Sequence, residues 1–299
     1  MSRLFNEAFF PSLLETEERR SKLFKIIIRS WIIFFFLGFI FNFVSYYYAN
    51  AANEYMQRGY LVSALTEFSS ALIYAIISTA SWLVISLIIG IPFLFGKNMN
   101  KHMKLCGLFF IISSLFEAAT IYIFFQIRSM MLKLAMEMPM LSDAEVISMI
   151  DEINATSYIS YMLQQGDIAT VGLGYFFWGQ GVKKDAENIL TRVRGLLTTK
   201  EAEEGFSIIF SSPIMQAIRT IRSGGNMLSW AGALYLITAL YPIQFLSFLA
   251  FILLIFGFSR ISRGWNTLTK IISERVKPSE GTAEIGYFAE AEGNQNSSN

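Results

Sequence analysis

The sequence predicts an all-α, polytopic membrane protein: a bundle of about six transmembrane helices, arranged as three hairpins. Hydrophobic residues make up 54% of the 299-residue chain and charged residues only 16%, whereas a soluble domain carries about 25% charged residues. Apolar stretches of the about 20 residues needed to cross a bilayer recur along the chain. Of the 24 Lys and Arg residues, 21 fall on one side of these stretches.

The apolar stretches divide the chain into six predicted spans, which together form a transmembrane domain over residues 24–263. A polar segment, residues 1–23, precedes the first span. Residues 264–299 follow the last span as a tail, and their composition predicts disorder from about residue 278. The spans cover about residues 24–48, 70–95, 103–126, 158–181, 225–241 and 243–261.

The last two predicted spans come from one continuous apolar run, residues 229–258. A single helix of that length would measure about 45 Å, against a hydrocarbon core of about 30 Å. Pro242 stands in the middle of the run and favours a tight hairpin of two short spans. One tilted helix with a kink at Pro242 is the alternative.

The charge distribution favours the hairpin and orients the chain. With six spans, the four basic segments all lie on the same face, which the positive-inside rule makes cytoplasmic. With five spans, the basic tail would lie outside, against that rule. We therefore expect a multi-pass protein of the cell membrane with both termini in the cytoplasm. The first expected binding partner of such a protein is the lipid bilayer.

Two outer loops are predicted, at residues 49–69 and 127–157. Asn154 begins an Asn-Ala-Thr triplet in the second loop and is a candidate glycosylation site. The same loop is rich in methionine, which favours an adaptable apolar surface for a protein partner over a site for a soft metal ion. These methionines are Met130, Met131, Met136, Met138, Met140 and Met149.

The inner connection, residues 183–224, is the second predicted docking surface. Residues 186–199 have helical spacing with one apolar side, which is typical of an amphipathic helix lying on the membrane surface or against a partner. A weaker second piece begins at Pro213 and places Ile214, Ile218 and Ile221 on one side. These surfaces are compatible with either a homo-oligomer or a hetero-oligomer.

Glycines at the ends of the even-numbered spans indicate a faint internal repeat. Gly174 and Gly181 recur 83 residues later as Gly257 and Gly264, and Gly90 lies 84 residues before Gly174. Parallel repeats of membrane hairpins are one way in which transport proteins are built. The alternative is coincidence, because glycine is common in membrane helices.

Glu117 and Asp167 are the candidate intramembrane polar site. Each interrupts a predicted span, and an ionised side chain at the bilayer centre costs about 2.5–3.5 kcal/mol on insertion scales. Glu117 lies 13 residues after Lys104, and Asp167 lies 14 residues before Gly181, so both should lie about 20 Å from the inner face. Such a pair could share a proton or hold a cation. Polar residues at comparable depth in the first two spans are Asn42, Thr79 and Ser81.

These features favour a transport or channel component built around Glu117, Asp167 and Asn42. The alternatives are a structural role for the two carboxyls as interhelical hydrogen-bonding groups, and a membrane scaffold or subunit of a larger, macromolecule-translocating complex. An enzyme is not expected, because one histidine and one cysteine leave few nucleophile–base pairs. No cofactor or metal site is expected either. A net charge of +1 does not indicate nucleic-acid binding.

Overall fold

The structure, a computed structural model, describes residues 2–97, 99–195, 213–241 and 243–276. These ranges contain six α-helices and one 3₁₀ turn, Met138–Met140, and no strand. The chain is therefore all-helical over its described part, as predicted. The helices are α1 (Ser2–Gln57), α2 (Leu61–Phe95), α3 (Lys101–Glu137), α4 (Asp143–Gly195), α5 (Pro213–Leu240) and α6 (Gln244–Val276).

Each helix packs against the next one along the chain, and α6 returns to pack against α1. The result is a ring of antiparallel neighbours. Gly224 of α5 faces Gly257 of α6, while Ile221 faces Gly264, so α5 and α6 run in opposite directions. The two predicted spans around residue 242 are thus separate helices, and the alternative of one kinked helix is wrong.

Among the described residues, four helical segments are long and apolar enough to cross a membrane: Glu18–Gln57, Leu61–Phe95, Lys101–Met140 and Phe245–Ile271. They belong to α1, α2, α3 and α6. α1 also exposes large apolar side chains such as Phe36 (58%) and Phe43 (67%), which suit contact with lipid. α4 and α5 complete the ring without reaching that hydropathy, so the count of six spans and the cytoplasmic termini stay predictions.

The two predicted outer loops are mostly helical, and their position outside the membrane stays a prediction. Residues 49–69 contain only a short turn, residues 58–60, and residues 127–157 are interrupted only near residues 138–142. A helix can continue beyond the bilayer where its residues are polar and include no helix breaker, because its backbone hydrogen bonds are satisfied within the helix itself. Gly59 provides the turn with its positive φ of 79°. We call the end of the bundle that carries these two turns the outer end.

The inner connection also differs from the prediction. Residues 183–195 continue α4 instead of forming a separate surface helix, and Ala186 and Ile189 are buried in the core. α5 begins at Pro213 as predicted, but Ile214, Ile218 and Ile221 are buried as well. These apolar faces cover the bundle and are not free for a partner. Residues 196–212 and the tail from residue 277 lie outside the described residues.

Close helix contacts explain many of the glycines. A Cβ atom on Gly179 of α4 would lie 2.3 Å from the carbonyl oxygen of Gly225 on α5. Gly174 and Gly181 both face α3, and Gly257 and Gly264 both face α5, in each case the preceding helix. Gly90 faces α3, which is the following helix. The repeat in the sequence therefore has matching contacts in the second and third hairpins but not in the first.

Candidate functional site

Glu117 lies on α3 at the interface with α2 and is only 2% exposed. Ser86 of α2 donates its hydroxyl to Glu117 Oε1 at 3.3 Å. The other carboxyl oxygen, Oε2, is buried and has no hydrogen-bond partner among the described residues. Glu117 is therefore a buried acid that is only partly satisfied by the protein, which is unusual for a polar group at this depth.

Asp167 lies on α4 across the next interface. Ser113, one helical turn before Glu117 on the same face of α3, donates its hydroxyl to Asp167 Oδ1 at 2.5 Å. Gly166 permits this approach: a Cβ there would stand 3.1 Å from the ring of Phe116. Asp167 is half-buried, so it is the more accessible of the two acids.

The two serines join the carboxyls into one chain. The hydroxyl oxygens of Ser86 and Ser113 are 3.3 Å apart, which completes the order Glu117–Ser86–Ser113–Asp167 across α2, α3 and α4. The structure thus brings the predicted pair together, and the contact runs through two hydroxyls. We call these four residues the carboxyl–serine chain.

A count of protons shows what the carboxyl–serine chain can do. Four groups in a row have three links, and each link needs one proton. With both serine hydroxyls donating to the carboxyls, the contact between Ser86 and Ser113 holds no proton. When one carboxyl is protonated and donates to its serine, the hydroxyl of that serine can turn to the other serine, and all three links are filled. A proton then passes from one carboxyl to the other when one proton crosses each of the three links, which leaves both hydroxyls pointing the other way. A single shared proton also avoids two negative charges in a buried place, where they would repel.

A cavity of about 360 Å³ borders the carboxyl–serine chain, with walls from α1, α2, α3 and α4. Asn42 and Thr79 lie in its walls as the sequence analysis expected. Ser81 does not: its hydroxyl donates to the Ile77 carbonyl in its own helix at 3.0 Å. The polar wall residues are Asn42, Ser78, Thr79, Glu117, Thr120, Gln164 and Asp167.

A second cavity, of about 310 Å³, lies towards the outer end of the same four helices. Phe124 and Gln164 belong to the walls of both cavities, so the two are stacked along the bundle. Ser45 of α1, and Ser157 and Ser160 of α4, give the second cavity a partly polar lining. Neither cavity has wall residues from α5 or α6.

Aromatic side chains fill the bundle on the inner side of the cavities. The ring centroids of Trp178 and Phe258 are 5.0 Å apart, those of Trp31 and Phe258 are 5.2 Å apart, and those of Phe110 and Tyr175 are also 5.2 Å apart. Tyr175 lies eight residues after Asp167 on α4, or about 12 Å along the helix. We call these five residues the aromatic layer. It lies on the inner side of the cavity, and none of its five residues belongs to the cavity wall.

Asp185 lies further towards the predicted inner face and was missed in the sequence. It is 3% exposed, accepts a hydrogen bond from Asn100 Nδ2 at 2.9 Å, and lies 3.6 Å from the Arg20 guanidinium. Asn100 also caps α3 by accepting from the Met103 N–H. This cluster ties α1, α4 and the start of α3 together where the bundle meets the inner face.

The remaining candidates have ordinary surroundings. Asn154 is exposed on α4, so its glycosylation stays a prediction. Met136 and Met140 are 71% and 88% exposed, whereas Met130, Met131, Met138 and Met149 pack into a small apolar cluster formed with residues of α2, α3 and α4. Among the described side chains, no group of three or more His, Cys, Asp or Glu residues could hold a metal ion.

No protein-family model, curated protein or solved structure matches the chain.

Proposed function

We propose that this protein is a proton-linked transport component, in which the carboxyl–serine chain takes up and passes on one proton. The observation that supports the proposal is the link between Glu117 and Asp167 through Ser86 and Ser113, at the edge of a cavity. Ionisable residues inside membrane proteins commonly mark ion pathways or proton relays.

The two acids have different tasks in this proposal. Asp167 is half-buried beside the cavity and exchanges its proton with water there. Glu117 lines the same cavity but is almost fully buried and has one free oxygen, Oε2, so it can hold the proton away from water. The proton reaches it when one proton crosses each of the three links of the chain.

The aromatic layer favours a carrier over an open channel. Its rings pack among the described helices on the inner side of the cavity, where an open channel would need a continuous water-lined route. Transport then requires a second conformation in which the layer separates, as in alternating access around a fixed site.

Proton flux in proteoliposomes tests the proposal. The purified protein is reconstituted into vesicles that enclose a pH-sensitive dye, and a pH gradient is applied. Diffusion of potassium across the membrane balances the charge that the protons carry. We expect wild-type vesicles to acidify faster than empty vesicles, and Glu117→Gln to reduce the rate to that of empty vesicles. Glu152→Gln, an exposed acid on α4, is the matched control and should retain the wild-type rate. Equal flux in wild type and Glu117→Gln would overturn the proposal.

A second candidate is a subunit of a larger membrane complex. One observation favours it: Met136 and Met140 expose their side chains at the outer turn between α3 and α4, where an adaptable apolar contact could form. Co-purification after gentle solubilisation tests it, with Met136→Ser/Met140→Ser as the variant. A specific partner should be lost in the variant, and a wild-type protein that purifies alone contradicts this candidate.

A further inference from the structure

We propose that the 310 Å³ cavity is the aqueous vestibule of the carboxyl–serine chain, and that Phe124 and Gln164 form the neck that selects what reaches Asp167. The chemical class selected is water, protons and small cations, in preference to organic solutes. This inference deepens the proposed function and rests on it, since a vestibule has meaning only for a site that exchanges something with water.

The position of α5 and α6 leaves room for the vestibule. Gly172 of α4 packs against Gly232 and Leu236 of α5, so α5, which ends at Leu240, stops near the level of Asp167. α4 continues outward from that level to Asp143, about 36 Å along the helix. Among the described helices, only α1, α2, α3 and α4 form the outer half of the bundle, around the two cavities.

The lining of the vestibule favours water over lipid. Ser45, Ser157, Ser160 and Gln164 place hydroxyl and amide groups in its wall, whereas the exposed face of α1 carries Phe36, Phe39, Ile40 and Phe43. Ser45 and Ser157 donate to the backbone carbonyls of Ala71 and Ile153, and a serine oxygen that donates can still accept from water. The concave wall therefore offers water several hydrogen-bond acceptors, which the exposed face of α1 does not.

The neck follows from the two residues that both cavities share. Phe124 is an aromatic ring on α3, and Gln164 is a long amide on α4 that donates to Ser160 Oγ at 3.4 Å. A solute that passes from one cavity to the other must pass between them. Truncation of Gln164 should therefore widen the route without changing the carboxyl–serine chain.

Cysteine labelling in lipid nanodiscs tests the vestibule independently of transport. The only native cysteine, Cys106, is fully buried, so the wild-type protein provides an unlabelled baseline. We expect a charged methanethiosulfonate, which stays in water, to label Ser45→Cys, which lies in the vestibule wall and is partly exposed. The matched control is Ser114→Cys on α3, where the serine is 6% exposed and lies in neither cavity wall. It should stay unlabelled until the protein is denatured.

The neck is tested with Thr79→Cys, in the wall of the inner cavity. Gln164→Ala should raise the labelling rate of Thr79→Cys by at least about fivefold, because access limits the reaction of a partly buried thiol, and should leave the rate of Ser45→Cys unchanged. Phe124→Ala replaces Gln164→Ala if the latter does not fold. An unlabelled Ser45→Cys overturns the vestibule, and an unchanged Thr79→Cys rate in both neck variants overturns the neck. If the cysteines are labelled as expected but no proton flux is measured, the vestibule is supported and the proposed transport is contradicted. If proton flux is measured but the cysteines are not labelled, the transport is supported and the vestibule is contradicted.

Discussion

Trp31 on α1 donates its indole N–H to the hydroxyl of Tyr175 on α4 at 2.8 Å, across 144 residues of sequence. Both side chains are buried, at 4% and 2% exposure. The bond lies within the aromatic layer and joins two helices that are not neighbours in the ring. It therefore fixes how the hairpins close around the inner end of the cavities.

Loss of this bond should destabilise the protein. Tyr175→Phe keeps the ring but leaves the Trp31 N–H buried without its acceptor, at a cost of about 1 kcal/mol. We expect a lower unfolding temperature in mild detergent. Tyr122→Phe is the control, because Tyr122 is 62% exposed and its hydroxyl accepts from Gln126 on the same helix. An equal change in the two variants would show that the interhelical bond contributes nothing.

The serines of the carboxyl–serine chain should matter for flux as much as the acids. Ser113→Ala removes the hydroxyl that bonds to Asp167 and breaks the chain. We expect proton flux in proteoliposomes to fall by at least about tenfold, which corresponds to about 1.4 kcal/mol in the barrier. Ser81→Ala should keep the wild-type flux, because the Ser81 hydroxyl is bonded within its own helix. Normal flux in Ser113→Ala would mean that protons do not pass through the serines.

The sequence predicted the acids of this site better than the serines. Counting residues from the basic ends was enough to place Glu117 and Asp167 at one depth, because the rise of a helix is constant. Ser113 could have been found as well, since it lies four residues before Glu117 and shares its face. Ser86 could not have been found in this way. Its contact with Glu117 depends on how α2 is rotated and shifted against α3, and the sequence of one helix does not determine that packing.

The same limit explains the errors in the fold. The spans and charges predict residues 49–69 and 127–157 as outer connections, but that prediction says nothing about their backbone conformation, which is mostly helical. The apolar side of residues 186–199 predicts an amphipathic helix on the inner membrane surface or against a partner, and the structure describes this segment as far as residue 195. That side packs on the bundle core instead, and amphipathic spacing alone cannot distinguish a membrane surface from a protein surface.

Gly179 should tolerate no side chain. A Cβ atom there would lie 2.3 Å from the Gly225 carbonyl oxygen and 2.4 Å from Ser229 Oγ, so Gly179→Ala forces α4 and α5 apart. Overpacking costs about 1–3 kcal/mol, more than the about 1 kcal/mol that alanine returns in helix propensity. The unfolding temperature in detergent should therefore fall. Gly38→Ala is the control, because its nearest neighbour is the side chain of Trp82 at 3.2 Å, which can move. A stable Gly179→Ala would contradict the close packing of α4 and α5.

The start of α4 should respond to acid through Glu145. The Ser142 hydroxyl and backbone N–H both donate to Glu145 Oε2, at 2.6 and 2.8 Å, so the Glu145 carboxylate supplies its half of a capping box at the helix start. These hydrogen bonds hold the pKa of the Glu145 carboxyl below its ordinary value. Because the folded-state pKa is the lower one, the stabilisation is fully present above the ordinary value and is lost as the pH falls through the lowered one.

A titration of labelled Glu145 by NMR measures this effect directly. We expect the pKa of Glu145 to rise towards the ordinary glutamate value in Ser142→Ala, because the stronger of the two hydrogen bonds to the carboxylate is then missing. Ser148→Ala, which lies further along the same helix on an exposed position, should leave the pKa unchanged. If Ser142→Ala titrates like the wild type, the capping box does not form in the membrane-embedded protein and α4 begins later than Asp143.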